Sequence, residues 1–179
     1  MSPKEREEKS HIILQTLYQM PLYEEAKIIL SYVNYQSEVK TDDILVRALS
    51  EGKHVFVPKV LGNTMEFYQI TDIKDLSKGY HGIREPNNGT KFIEKLSGSQ
   101  HTKINAPLML IPGVVFDKER HRIGYGKGFY DRYLKGLRET GIQLHTLALC
   151  FECQMLDRIP YEVHDVRPEM ILTENKLYQ

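Results

Sequence analysis

The stretch from Leu110 to Leu134 constrains this chain more than any other. An apolar run ends in Pro112-Gly113, a charged turn follows, and glycines then stand at every second position: Gly124, Gly126 and Gly128. Lys127 sits among them, Arg122 just before, and Tyr130-Asp131-Arg132 open a helical pattern. Glycines at this density let backbone N–H groups converge on an anion unobstructed by side chains. A helix beginning immediately afterwards adds its unpaired N–H groups and the positive end of its dipole. Lys127 and Arg122 add full charges, and Asp131 offers a hard oxygen ligand suited to magnesium. The local reading is a nucleotide-phosphate loop between a strand and a helix.

The surrounding pattern sets the fold in which such a loop can sit. Ser2, Pro3 and Glu5 carry an N-cap, a proline at the first helical position and a capping-box glutamate. A helix with Ile13, Leu14 and Leu17 on one face follows and ends before Pro21. Residues Ala26 to Val33 read as a buried strand. Thr41-Asp42-Asp43 caps a second helix, with Ile44, Leu45, Ala48 and Leu49 facing inward until Gly52. His54 to Val60 is a strand that Pro58 ends or places at an edge, and Met65 to Ile70 is another beyond the Gly62-Asn63 turn. Thr71 to His101 is turn-rich and expected to be irregular. Leu108 to Val115 is the most apolar strand, hence central. A helix over Phe129 to Thr140 stops at Gly141, and strands follow at Leu144 to Phe151 and Met170 to Thr173. Alternating strands and helices predict an α/β three-layer sandwich, a mostly parallel sheet covered by helices on both faces. Ligands in such sheets bind beyond the carboxyl ends of the strands.

At 179 residues the chain suits a single domain, residues 1–179. With 24 basic and 24 acidic residues its formal charge is zero, which argues against nucleic acid or an anionic membrane as partner. No apolar run approaches a membrane span and the charged N-terminus is unlike a signal peptide, so a cytoplasmic protein is expected. Cys150 and Cys153 form a C-x-x-C, but Cys150 closes an apolar strand and no second ligand pair exists, so packing is favoured over redox or zinc chemistry.

The glycine loop has neither the spacing of a P-loop nor that of a dinucleotide fingerprint. The residues P-G-V-V-F-D and R-I-G-Y-G-K-G-F-Y-D-R-Y-L do closely resemble the signature of the 5-formyltetrahydrofolate cyclo-ligase family, also called methenyltetrahydrofolate synthetases. Y-V-N-Y-Q-S-E-V-K-T, V-F-V-P-K-V, G-I-R-E-P and V-H-D-V-R-P-E-M-I-L-T-E resemble further landmarks, extending the likeness over nearly the whole chain. The resemblance implies a monomeric enzyme that uses ATP and Mg2+ to convert 5-formyltetrahydrofolate to 5,10-methenyltetrahydrofolate, releasing ADP and phosphate. Phosphorylation of the formyl oxygen would turn a poor leaving group into phosphate, and ring closure by the neighbouring amine would expel it. Such a catalyst chiefly positions its substrates and neutralises moving charge.

By the same resemblance, Arg122, Gly124, Tyr125, Gly126, Lys127, Gly128, Phe129 and Tyr130 would hold the nucleotide. Lys127, Arg122 and Tyr130 would be catalytic, with Tyr130 at the join of nucleotide and folate. Glu38 would recognise the folate beside residues 125–130. Asp131 and Glu169 would bind the metal, Glu169 standing where aspartate is usual, and Phe129 where tyrosine often stands. Family members carry a further N-terminal helix whose basic residues reach the phosphates; here Ser2 to Ser10 aligns after it, and Lys4 and Arg6 read as a solvated helix start. Asp117 and Asp165 are read as either second carboxylates near the site or turn residues, and Glu85 as a cleft residue or a partner of Arg84. His121 is expected to be solvated, and Tyr32, Tyr35, Tyr68 and Tyr80 to pack or to line a flat ligand. Two other readings stand beside the ligase: a related ATP-dependent enzyme with another substrate, and a non-catalytic paralogue that binds nucleotide or folate.

Overall fold

The computed structural model describes residues 1–97, 106–163 and 165–179. Its elements begin with α1 (Pro3–Tyr18), α2 (Pro21–Glu25), β1 (Ile28–Leu30), α3 (Asp42–Ser50), β2 (His54–Leu61) and β3 (Thr64–Ile70). A small hairpin, β4 (Leu76–Lys78) and β5 (Arg84–Pro86), and α4 (Phe92–Ser97) follow. Next come β6 (Leu108–Ile111), β7 (Val115–Asp117), β8 (Arg122–Ile123), α5 (Phe129–Glu139) and β9 (His145–Leu149). The chain closes with β10 (Met155–Leu156), β11 (Met170–Leu172) and β12 (Leu177–Tyr178).

The main sheet runs β12-β11-β9-β6-β1-β2-β3, with β6 at its centre as its apolarity predicts. Its five inner strands are parallel, and β12 and β3 are antiparallel edges. Successive residues of a buried strand face opposite layers. Ile29, Leu108, Leu110 and Leu147 pack under Ile13, Leu14 and Leu17 of α1 and Ile44, Leu45 and Ala48 of α3. Ile28, Leu30, Met109, Ile111 and Ala148 pack on the other face against Phe92 of α4 and Leu134 and Leu137 of α5. The expected three-layer α/β sandwich is what forms.

Several boundaries differ, each for a local reason. The helix start at Ser2 is as expected, its hydroxyl accepting from Glu5 N at 3.1 Å, while Pro21 initiates the short α2 that the pattern did not suggest. Only Ile28–Leu30 of the first apolar run pairs as a strand. Pro58 does not end β2, which continues to Leu61. Phe56 faces β1 through its carbonyl, which accepts from Ser31 N at 2.9 Å. Pro58, two residues on, turns its nitrogen to the same side, where β1 pairing has already ended at Leu30. The turn-rich segment contains β4, β5 and α4, and its residues 98–101 lie outside those described. The central apolar run divides at Pro112-Gly113: β6 stops at Ile111, and Val115 joins a separate sheet of order β10-β7-β8. The glycine loop therefore springs from β8, on a small platform beyond the carboxyl end of β6, and leads into α5. Among the described residues no helix is long and apolar enough to cross a membrane.

Candidate functional site

Glu38 reaches the site on a tight loop that leaves the carboxyl end of β1. Asn34 and Thr41 close this loop, Thr41 N donating to Asn34 Oδ1 and Asn34 N to Thr41 Oγ1, both at 3.1 Å. Thr41 precedes α3 as expected, but its hydroxyl serves this closure and does not cap the helix. Inside the loop, Tyr35 N donates to Glu38 Oε2 at 2.7 Å and Glu38 N returns a bond to Tyr35 O at 3.1 Å. Gln36, between them, has φ +47°, and the Arg6 guanidinium donates to its carbonyl. Tyr32 is a packing residue here, buried, with its hydroxyl on Val39 O at 3.1 Å. The Glu38 carboxylate is 7% exposed. Burial pushes its pKa up to about 7, the Tyr35 N–H opposing only in part.

The glycine loop stands across from this carboxylate. The Tyr125 ring meets the Tyr35 ring edge-on, centroids 5.8 Å apart. Burial and the Glu38 charge together raise the hydroxyl pKa of both Tyr125 and Tyr130. The structure thus joins two segments that lie far apart in sequence. Gly128, at the N-cap of α5, has φ +61°, a conformation costly for a side-chain-bearing residue. It offers no side-chain cap, so the first-turn N–H groups of α5 stay available to a ligand. Gly124 lies close under Arg122: a Cβ there would meet Arg122 Nη1 at 3.2 Å, a tight contact. Lys127 is exposed and forms no ion pair among the described residues. Phe129 packs edge-on to Tyr80 at 6.1 Å, and Tyr130 lies against Phe67 at 6.2 Å with the Arg122 guanidinium 5.8 Å from its ring.

Arg122 is less free than its sequence position implies. It is 8% exposed, and its Nη2 donates to Asp131 Oδ1 at 2.7 Å. That same oxygen accepts from Val166 N at 3.0 Å. Asp131 therefore anchors Arg122 and the segment before β11 and leaves Oδ2 as the oxygen open to a cation. Glu169 lies three residues beyond Val166. The register of β11 on β9, Met170 beside Leu147, sets it at the amino end of the strands, where Oε2 meets His145 Nδ1 at 3.0 Å. It lines a groove of about 770 Å³ with Leu134, Leu137, Arg138, His145 and Arg167, to which Asp131 does not contribute. Among the described residues no three His, Cys, Asp or Glu side chains converge to enclose a cation. Glu169 Oε2 is engaged by His145, and among the described residues no hydrogen bond is made by its Oε1 or by Asp131 Oδ2.

Other expectations resolve into structural roles. His121 is buried, not solvated: its ring stacks on Tyr161 at 3.8 Å and its Nδ1 meets Asp117 Oδ2 at 3.0 Å. Asp117 is a turn residue, its Oδ1 accepting from the N–H groups of Glu119 at 3.0 Å and His121 at 2.9 Å. Burial alone would raise its pKa, but these bonds and the His121 ring hold it low. Asp165 likewise accepts from Glu162 N at 2.8 Å. Glu85 accepts from Val60 N at 3.1 Å, while Arg84 pairs with Asp42. Tyr68 packs near Lys59. Cys150 is buried and Cys153 exposed, both as free thiols. The sequence reading did not single out Tyr35 as the residue joining both segments; its place three residues before Glu38, in a turn needing a left-handed residue, was the only local signal.

Residues 1–174 match the model of the 5-formyltetrahydrofolate cyclo-ligase family. A 5-formyltetrahydrofolate cyclo-ligase of Mus musculus is 30% identical, the match covering 98% of this chain and 87% of the mouse protein. A probable 5-formyltetrahydrofolate cyclo-ligase of Schizosaccharomyces pombe is also 30% identical, over 92% of this chain and 83% of its own. Among solved structures, the Aquifex aeolicus 5,10-methenyltetrahydrofolate synthetase superposes with a TM-score of 0.80 at 26% identity, covering all of this chain and 84% of that one.

Proposed function

The chain belongs to the 5-formyltetrahydrofolate cyclo-ligase family, and from that premise we propose that it is an ATP- and Mg2+-dependent enzyme converting 5-formyltetrahydrofolate to 5,10-methenyltetrahydrofolate. One observation carries the extension to this chain: the buried Glu38 carboxylate and the glycine loop face each other across the Tyr35–Tyr125 contact. A folate recognised by Glu38 would therefore present its formyl group toward phosphates held by residues 124–130. All 179 residues act as one catalytic unit in this reading.

Ionised Glu38 accepts paired N–H groups of the pterin ring, a charge-assisted arrangement that replaces the water its burial has removed. Gly126, Lys127 and Gly128, with the first-turn N–H groups of α5, receive the phosphates. The formyl oxygen attacks the γ-phosphorus and ADP leaves; the neighbouring amine then attacks the formyl carbon, the C–O bond breaks to release phosphate, and the amine proton passes to the departing phosphate or to water. Lys127 follows the transferring phosphoryl group with its unpaired ammonium and neutralises charge as it moves. Arg122 acts from beneath, holding the loop against Asp131 and sustaining positive potential under Tyr130. Tyr130, with its hydroxyl kept protonated by burial, lies where the two substrates meet and excludes water from the activated formyl group.

Magnesium fits this site as a cation held largely by phosphate oxygens, with Asp131 Oδ2 as the protein ligand, one carboxylate being common for this metal. When bound it supplies charge neutralisation of the phosphates. The test is an absorbance assay for methenyltetrahydrofolate with 5-formyltetrahydrofolate, ATP and magnesium. Product formation is expected; neither product nor folate binding would remove the reading. Binding without turnover would mark a non-catalytic binding protein, and ATP turnover on another amide alone would mark a related enzyme.

A further inference from the structure

We infer that Tyr35 is a positioning residue that couples the two substrate sites, so that nucleotide and folate each tighten the binding of the other. The inference rests on the cyclo-ligase reading of the site. Tyr35 is bound to Glu38 in both directions, through its N–H at 2.7 Å and its carbonyl at 3.1 Å, so wherever its backbone sits the Glu38 carboxylate follows. The turn between them has little freedom. Gln36 holds a left-handed φ of +47° with its carbonyl tied to Arg6, and Asn34 and Thr41 close the loop at its base.

The Tyr35 ring points the other way and meets Tyr125 edge-on, at 5.8 Å and 72°. Tyr125 is 51% exposed and sits between Gly124 and Gly126, on a stretch of backbone with few constraints of its own. Among the described residues no hydrogen bond or ion pair joins residues 34–41 to residues 124–128; the ring contact links them, beside the Glu38 charge that the Tyr125 hydroxyl feels.

The physical consequence follows from linkage. Phosphates that order the glycine loop fix the Tyr125 ring, which restricts Tyr35 and pre-orders Glu38 for the pterin. By reciprocity, folate held on Glu38 restrains Tyr125 and lowers the ordering cost of binding nucleotide by the same factor. An edge-to-face aromatic pair of ordinary strength corresponds to a coupling of about three- to tenfold in affinity.

The experiment is calorimetric titration of 5-formyltetrahydrofolate into the full chain, with and without magnesium and a non-hydrolysable ATP analogue. The unaltered protein should bind folate about three- to tenfold more tightly when the analogue is present. Tyr35→Phe should keep that ratio, because the ring and not the hydroxyl makes the contact. Tyr35→Ala should bring the ratio near unity while each ligand still binds alone. A ratio near unity in the unaltered protein, or an undiminished ratio in Tyr35→Ala, overturns the coupling and leaves the cyclo-ligase reading intact. Absence of any folate binding to the unaltered protein overturns both.

Discussion

Truncation of Asp131 separates an anchoring role from a role confined to the metal. Its Oδ1 holds Arg122 Nη2 at 2.7 Å and Val166 N at 3.0 Å, with side-chain exposures of 5% for Arg122 and 20% for Asp131. Arg122 Nε is also buried without a partner, so Asp131 is the sole carboxylate matched to this guanidinium among the described residues. Asp131→Ala leaves a buried cation unpaired, for which a fully enclosed pair would lose about 3–5 kcal/mol. Water at the Asp131 side reduces this to roughly 2–3 kcal/mol, and the orphaned Val166 N–H adds about 1 kcal/mol. A total of about 3–4 kcal/mol lowers the melting temperature of a chain this size by about 6–16 °C. The assay is thermal unfolding by circular dichroism, without nucleotide and with a chelator, so that no metal contributes. Asp131→Asn, which keeps an acceptor and loses the charge, should fall by about half as much. Arg122→Met with Asp131→Ala should cost less than the sum of the two, since the pair couples directly. A melting temperature for Asp131→Ala within about 2 °C of the unaltered protein would refute the anchoring argument.

Further outcomes follow from the same geometry. Lys127→Ala should cut kcat about 100-fold or more by removing charge stabilisation from phosphoryl transfer, with little change in melting temperature; unchanged kinetics would show the loop misassigned. Glu38 has a folded pKa near 7 against an ordinary value of 4.5. Between these values the folded state binds the extra proton, so its contribution to stability is greatest at low pH and declines as pH rises through about 7, by at most about 3 kcal/mol. Folate affinity should run the opposite way, rising from pH 6 to 8 as the carboxylate forms, and Glu38→Gln should flatten both profiles. Arg120 holds a left-handed φ of +68°, so Arg120→Gly should raise the melting temperature by about 2–4 °C, read by calorimetry.

The layers of this protein are legible in its residues because burial has a period. Apolar strands at Ile28, Val55, Leu108 and Leu147 alternate with helices of 3.6-residue periodicity, and a right-handed connection between parallel strands leaves few arrangements. The phosphate loop is legible for a similar reason: glycines alternating with Lys127 before a helix state a local geometry that needs no distant partner. Glu38 needed a resemblance to be noticed at all, since a lone glutamate before a helix looks like any solvated residue. Its burial, and the pKa that burial sets, exist only once Tyr35, Tyr125 and Tyr130 gather around it. Glu169 shows the converse. Its place in the sequence suggested a metal ligand, and the register of β11 on β9 adds a partner the sequence does not state, His145. His121, which reads as solvated, and Arg122, which reads as a phosphate ligand, are drawn inside by Tyr161 and Asp131. Local chemistry along the chain determined the loop and the layers; only tertiary structure decided which charges face one another. Electrostatic roles depend on distance and on excluded water, and neither exists until separate segments are brought together.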